Sequence, residues 1–148
     1  MESREASIPA FRADGYLPTG LYAAPEGEIL FRFGASSSRR RRLALRLRRW
    51  LELARHVRAR RMLVDGSFVT AKHEPNDIDA VVLLPTDFES QIQKGVEPAL
   101  ELEEMLLTRR PEEIFAAEDE ADWHAWVEFF SRTREVDGRR KGLVEVEL

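Results

Sequence analysis

Apolar positions in this chain recur either at helical spacing or as short continuous runs, and the alternation between the two outlines its elements. Leu43, Leu47, Trp50, Leu51, Ala54 and Val57 return every three or four residues with arginines between them, which predicts a helix from Ser38 to Arg58. Ser36-Ser37-Ser38 supplies N-caps ahead of it. Met62-Leu63-Val64 reads as a short buried strand, and Ser67 to Lys72 as a brief helical turn ended near Pro75. Ile78 to Leu84 is almost continuously apolar, as a central strand covered on both faces should be. Thr86 or Asp87 caps a helical stretch over Phe88 to Gln93, and a second helix over Glu97 to Arg109 turns Leu102, Met105 and Leu106 inward. Glu113 to Ala117 reads as a strand. Asp122 to Ser131 is a helix with Trp123, Trp126, Val127 and Phe130 on one side. Asp137-Gly138 makes a turn before a last strand, Leu143 to Val146. Helical spacing assigns Trp50, Trp123 and Trp126 to the core before any stacking role.

The first third of the chain is less regular. Pro9, Pro18 and Pro25 interrupt any period, so residues 1–35 read as an extended arm anchored by Phe11, Tyr16, Leu17, Leu21 and Tyr22, with a short strand over Ile29 to Phe33. Residues 36–148 then form the domain proper. Strands alternating with helices, without an internal repeat, predict a single α/β (α+β) domain: a mixed β-sheet with flanking helices.

Composition narrows the chemistry. An apolar content of 43% is enough to fill one core. With no cysteine, a disulfide framework and a thiolate metal site are both excluded. His56, His73 and His124 lack ligand spacing, which argues against structural zinc, and His73 and Glu74 read as plain loop surface. No apolar run has the length of a membrane span, and Met-Glu-Ser-Arg-Glu lacks the regions of a signal peptide, so a cytoplasmic protein without a membrane partner is expected. The net charge of −4 conceals segregation. Arg32 to Arg61 is arginine-rich, with Arg39-Arg40-Arg41-Arg42 near its start, whereas acids dominate from Glu97 until Arg139-Arg140-Lys141. A solvated basic helix face is the plain reading; a nucleic-acid surface, suited to an RNA acceptor, is the alternative.

One segment carries most of the functional content. Gly66-Ser67 closes a strand, and after Phe68 to Asn76 the chain reads Asp77-Ile78-Asp79 and enters the central strand. Alternate strand residues face one way, which sets both carboxylates on one side roughly 6–7 Å apart along the backbone. A carboxylate inside an apolar strand needs a partner, and one divalent ion or a pair would serve both. Gly66 and Ser67 leave room and donors for phosphate.

These residues resemble the nucleotidyltransferase superfamily, whose archetype is DNA polymerase β. Its signature is a Gly-Ser or Gly-Gly pair, a short spacer and Asp-x-Asp flanked by apolar residues, matched here over residues 62–84 by Gly66-Ser67, Asp77-Ile78-Asp79 and Ala80-Val81-Val82-Leu83-Leu84. The chain length is like that of the small stand-alone members, the minimal nucleotidyltransferases, some of which belong to toxin–antitoxin or phage-defence systems. The resemblance implies a nucleotidyltransferase-like sheet and Mg²⁺- or Mn²⁺-dependent transfer of a nucleoside monophosphate from an NTP. The acceptor would be a hydroxyl on a protein, an RNA or a small molecule, and the partner a cognate toxin or antitoxin. Asp77 and Asp79 would hold metal, two ions about 3.5–4 Å apart polarising the phosphoryl oxygens and neutralising pyrophosphate. Backbone N–H groups after Gly66 and the Ser67 hydroxyl would cradle the β- and γ-phosphates at a helix start, with Lys72 or Lys141 adding positive charge. A third carboxylate, the base for the acceptor hydroxyl, would be Glu113 before Ile114-Phe115, with Glu118, Glu145 and Glu147 as alternatives. Asp65, where the family has an apolar residue, reads as a turn cap. Catalytic residues are thus expected at Asp77, Asp79 and Glu113. The alternative function is a catalytically weak or inactive binding protein of the same fold, an antitoxin-like partner or nucleotide sensor.

Overall fold

The computed structural model describes residues 7–108 and 113–148. Five strands, β1 (Leu21–Pro25), β2 (Arg61–Asp65), β3 (Asp79–Leu83), β4 (Glu113–Ala117) and β5 (Leu143–Glu147), form one sheet in the order β1-β5-β2-β3-β4. β2 runs antiparallel to both β3 and β5, while β1–β5 and β3–β4 are parallel, so the sheet is mixed. Five helices flank it: α1 (Glu26–Phe33), α2 (Ser38–His56), α3 (Phe88–Gln93), α4 (Glu97–Thr108) and α5 (Glu120–Phe130). This is the single α+β unit that the alternation of elements predicts.

The strands are apolar on both faces because both are covered. Met62, Val64, Ala80, Val82 and Ile114 join the large core beneath α1, α2 and α4, where Ile29, Leu43, Leu47, Trp50, Leu51 and Leu102 are buried. On the opposite face Leu63, Val81, Leu83, Ala117 and Leu143 pack with Trp123 of α5. Ser37 caps α2, accepting from the Arg40 N–H at 3.1 Å, as the serine run predicts. Among the described residues no helix is long and apolar enough to cross a membrane.

Two expectations for the first 35 residues are overturned. Ile29 to Phe33 is helical: α1 buries Ile29 and Phe33, four residues apart, and leaves Phe31 86% exposed, whereas a strand would set all three on one face. Nor is this region merely an extended arm, since β1 joins the sheet as an edge strand and Leu17 and Ala24 are buried. Residues 1–6 of that arm, and Arg109 at the expected end of α4, lie outside the described residues.

Candidate active site at one end of the sheet

Strand direction and register gather the chemistry at one end. Asp65 ends β2 and pairs with Asp79 at the start of β3, which pairs in turn with Glu113 at the start of β4. Residues opposite one another across a sheet point to the same face. Asp65, Asp79 and Glu113 therefore form a row across three strands, on the face covered by α5, since Leu63, Val81 and Ala117 of the same parity pack there. The alternative acids lie elsewhere. Glu118 follows the opposite end of β4, and Glu145 forms a bidentate pair with Arg61 at 2.7 Å. Glu147 ends β5, away from the row.

Asp77 joins this row from outside the sheet. β3 begins at Asp79, so the two aspartates do not alternate along one strand as expected; Asp77 lies in the preceding loop and is locked to the Gly66-Ser67 turn. Its Oδ1 accepts from the Ser67 N–H at 2.9 Å and the Ser67 hydroxyl at 2.5 Å, and its carbonyl accepts from the Phe68 N–H at 3.0 Å. Gly66 makes the approach possible. Its φ is +88°, and a Cβ there would come within 3.0 Å of the Asp77 carbonyl oxygen and 3.1 Å of the Asp79 nitrogen.

The phosphate cradle departs from expectation too. Ser67–Val69 is a single 3₁₀ turn rather than an α-helix start. Its donors are engaged within the chain, Ser67 with Asp77, Val69 with Gly66 and Thr70 with Ser67. The turn is held from behind by Arg40, whose guanidinium donates to the carbonyls of Phe33, Phe68, Thr70 and Lys72. Arg40 is 4% exposed, against the reading of the arginine run as a purely solvated face. The signal was present: Arg40 precedes Leu43, Ala44 and Leu47 by three, four and seven residues, on the apolar stripe.

Asp65 is no turn cap. It is buried and receives Lys141 Nζ at 2.7 and 2.8 Å on its two oxygens. Burial still lifts its carboxyl to about 6, against the pull of Lys141. Lys141 is thereby committed to Asp65. Asp79 is lifted to about 7, by burial first and then by the charges of Asp77, Asp65 and Glu113. No hydrogen bond or ion pair holds its carboxylate among the described residues. An acid closing an apolar strand needs a partner once it is buried, so Asp65 was readable as a site residue by burial cost.

A cleft of about 1000 Å³ opens onto this end. Asp65, Gly66, Ser67, Lys72, Asp77, Asp79 and Lys141 line it, so the sequence-predicted residues come together there except Glu113, which borders Asp79 through the sheet. Asp14 and Tyr16 line it from the loop before β1, and Phe129, Phe130, Arg132 and Arg134 from the end of α5 onward. These loops are tied together: the Ala71 N–H donates to the Gly15 carbonyl at 2.9 Å, and the Tyr16 hydroxyl to Glu135 at 3.2 Å. Glu128 is pulled down to about 2 by hydrogen bonds from Arg140 and Arg132. Lys72 and Arg134 are exposed, and their side chains make no hydrogen bond or ion pair among the described residues. Trp50 and Trp123 are core residues, 4% and 1% exposed, as expected.

No curated protein and no solved structure matches the chain. Residues 9–147, from the loop before β1 to the end of β5, match the family of unknown function DUF6932, and the chain belongs to that family.

Proposed function

We propose that the protein is a divalent-metal-dependent nucleotidyltransferase, moving a nucleoside monophosphate from an NTP to a hydroxyl on a protein, an RNA or a small molecule. The observation that carries this reading is the strand register that lines up Asp65, Asp79 and Glu113 beside Asp77 and the Gly66-Ser67 turn. Asp79 tests the fit of a cation. Buried, with three acidic neighbours and no ion pair among the described residues, its anion is disfavoured, and a divalent ion held by Asp77 and Asp79 would reverse that balance. Among the described residues no three acidic or histidine side chains form a metal cluster by themselves. Mg²⁺ is commonly held by one or two carboxylates together with substrate phosphates, a share that Asp77 and Asp79 would supply. When bound, the ion supplies neutralisation of charge on the reacting phosphate and the departing pyrophosphate.

The chain's own residues do the rest. Glu113, across from Asp79, accepts the proton of the acceptor hydroxyl as its oxygen bonds to the α-phosphorus and the bond to pyrophosphate breaks. Ser67 turns its hydroxyl from Asp77 toward the phosphates, leaving Asp77 for the ion. Lys72 and Lys141, which both line the cleft, offset the charge of the triphosphate. A cognate toxin or antitoxin fits this reading as the protein acceptor.

The test is incubation of the purified chain with labelled NTPs, Mg²⁺ and candidate acceptors. Label transfer should require the metal and fall by about two orders of magnitude or more in the double variant Asp77→Ala, Asp79→Ala. Transfer that survives unchanged in that variant sinks the site. A second reading, a nucleotide-binding protein without turnover, has one observation in its favour: both donors of Ser67 are engaged by Asp77. Metal-dependent NTP binding with no transfer to any acceptor selects it.

A further inference from the structure

The proposed chemistry leaves part of the cleft lining unused, and that part includes two aromatic rings. Phe129 and Phe130 line the cleft from the last turn of α5. Phe130 stacks on Trp126 with planes 19° apart and centroids 5.7 Å apart, and Trp126 packs on Phe115 at 4.7 Å, so these rings form the support of the wall. Phe129 is different. It meets Trp126 and Phe130 near edge-on, at 89° and 81° with centroids 5.9 and 5.1 Å away, so neither stacks on it in parallel. It remains 63% exposed, inside a cleft. A large apolar ring held by two others yet left wet on a cleft wall is a preformed platform for another flat ring.

The rest of the cleft says which ring. The same cleft is lined by carboxylates suited to a metal-bound polyanion, and by Lys72 and Arg134, which have no ion-pair partner among the described residues. A molecule that uses both kinds of lining has a planar aromatic group and phosphates. Pockets for small molecules run to about 300–1,000 Å³, which puts a whole nucleotide within the capacity of this cleft. We propose that Phe129 is the stacking platform for the base of the donor nucleotide, with Arg134, which lines the same cleft, receiving a phosphate or sugar oxygen. The inference rests on the nucleotidyltransferase reading and adds to it the wall that recognises the base.

The experiment is calorimetric titration of the full chain with each of the four Mg-NTPs and with Mg-tripolyphosphate, which carries the anion without base or sugar. Wild type, Phe129→Ala, Phe129→Leu and Phe129→Trp are compared after circular dichroism shows each to be folded. Stacking predicts that the preferred NTP binds wild type roughly five- to a hundredfold more tightly than it binds Phe129→Ala or Phe129→Leu, while Phe129→Trp retains the affinity. Tripolyphosphate should bind all four proteins alike. NTP affinity unchanged in Phe129→Ala and Phe129→Leu overturns the platform. So does equal loss for NTP and tripolyphosphate, which would mark a structural role. Phe129→Ala that lowers transfer to a protein acceptor but leaves NTP affinity intact also overturns it, assigning the wall to an aromatic side chain of the acceptor. NTP binding that depends on Asp79 but ignores Phe129 removes the platform and keeps the nucleotidyltransferase; no binding of NTP or tripolyphosphate by wild type removes both.

Discussion

Asp79 is the residue on which the electrostatics of the site converge. Burial and the neighbouring charges of Asp77, Asp65 and Glu113 raise it to about 7, against about 3.9 for an aspartate in an unfolded chain. A carboxylate raised on folding binds its proton more tightly in the folded state. The stability it lends is therefore complete below about pH 4 and is lost as pH rises to about 7. Asp79→Asn carries no such penalty. In the metal-free protein the melting temperature of Asp79→Asn should match wild type near pH 4, exceed it increasingly up to about pH 7, and hold a constant lead above that. A lead independent of pH would show that packing rather than charge is responsible. Mg²⁺ at pH 8 should raise the melting temperature of wild type and leave Asp79→Asn unmoved. Gly66 complements this picture, because only a residue without Cβ lets the turn approach the Asp77 backbone so closely. Both residues stood out by type and spacing; their strain and charge did not, since these depend on neighbours brought from other strands.

Helix α2 does two jobs along its length. Its stripe of Leu43, Leu47, Trp50, Leu51 and Ala54 packs the core, and its first turn holds the site loop through Arg40. Arg40→Ala removes the donor from four carbonyls and should lower stability by about 2–4 kcal/mol in urea denaturation. Arg40→Lys should recover only part of this, because an ammonium cannot reproduce the planar fork of donors. Exposed Arg42→Ala should stay within about 0.5 kcal/mol of wild type. Equal effects at both positions would contradict the clamp. The helix itself was legible because its period is local, and so was its serine cap. α1 was misread as a strand because Ile29, Phe31 and Phe33 suit either period over so short a run, and only the burial of Ile29 and Phe33 beneath the sheet decides it.

The fold as a whole closes around an ion pair that spans 76 residues of sequence. Lys141, just before β5, reaches Asp65 at the end of β2, with side chains 11% and 4% exposed. Lys141→Ala leaves a buried carboxylate without its partner and should cost roughly 3–5 kcal/mol near neutral pH. Without Lys141 the Asp65 carboxyl lies above about 6, so the loss should shrink as pH falls toward about 6 and level off below it, where Asp65 is protonated in both proteins. The double variant Asp65→Asn, Lys141→Met should recover most of the stability, as measured by urea titration, because no buried charge is then left alone. A double variant as unstable as Lys141→Ala would mean that the lysine acts through packing of its stem instead. The same pair braces the cleft, since the loops at 12–16, 66–78 and 131–141 all meet at this end of the sheet.

Hydrophobic period and side-chain type were sufficient for α2, α5, the central strands and the Gly66-Ser67, Asp77, Asp79 spacing, because each is set by residues a few positions apart. Strand register made the remaining decisions. It set Glu113 beside Asp79 and left Glu118, Glu145 and Glu147 elsewhere, recruited β1 to the sheet edge, joined Lys141 to Asp65, and brought Phe129 into one cleft with the acids. Those partners are separated by tens of residues, and nothing local distinguishes one exposed acid, lysine or phenylalanine from another. Which of them meet depends on how distant segments bury their apolar faces together, a property of the packed chain and not of any stretch of it.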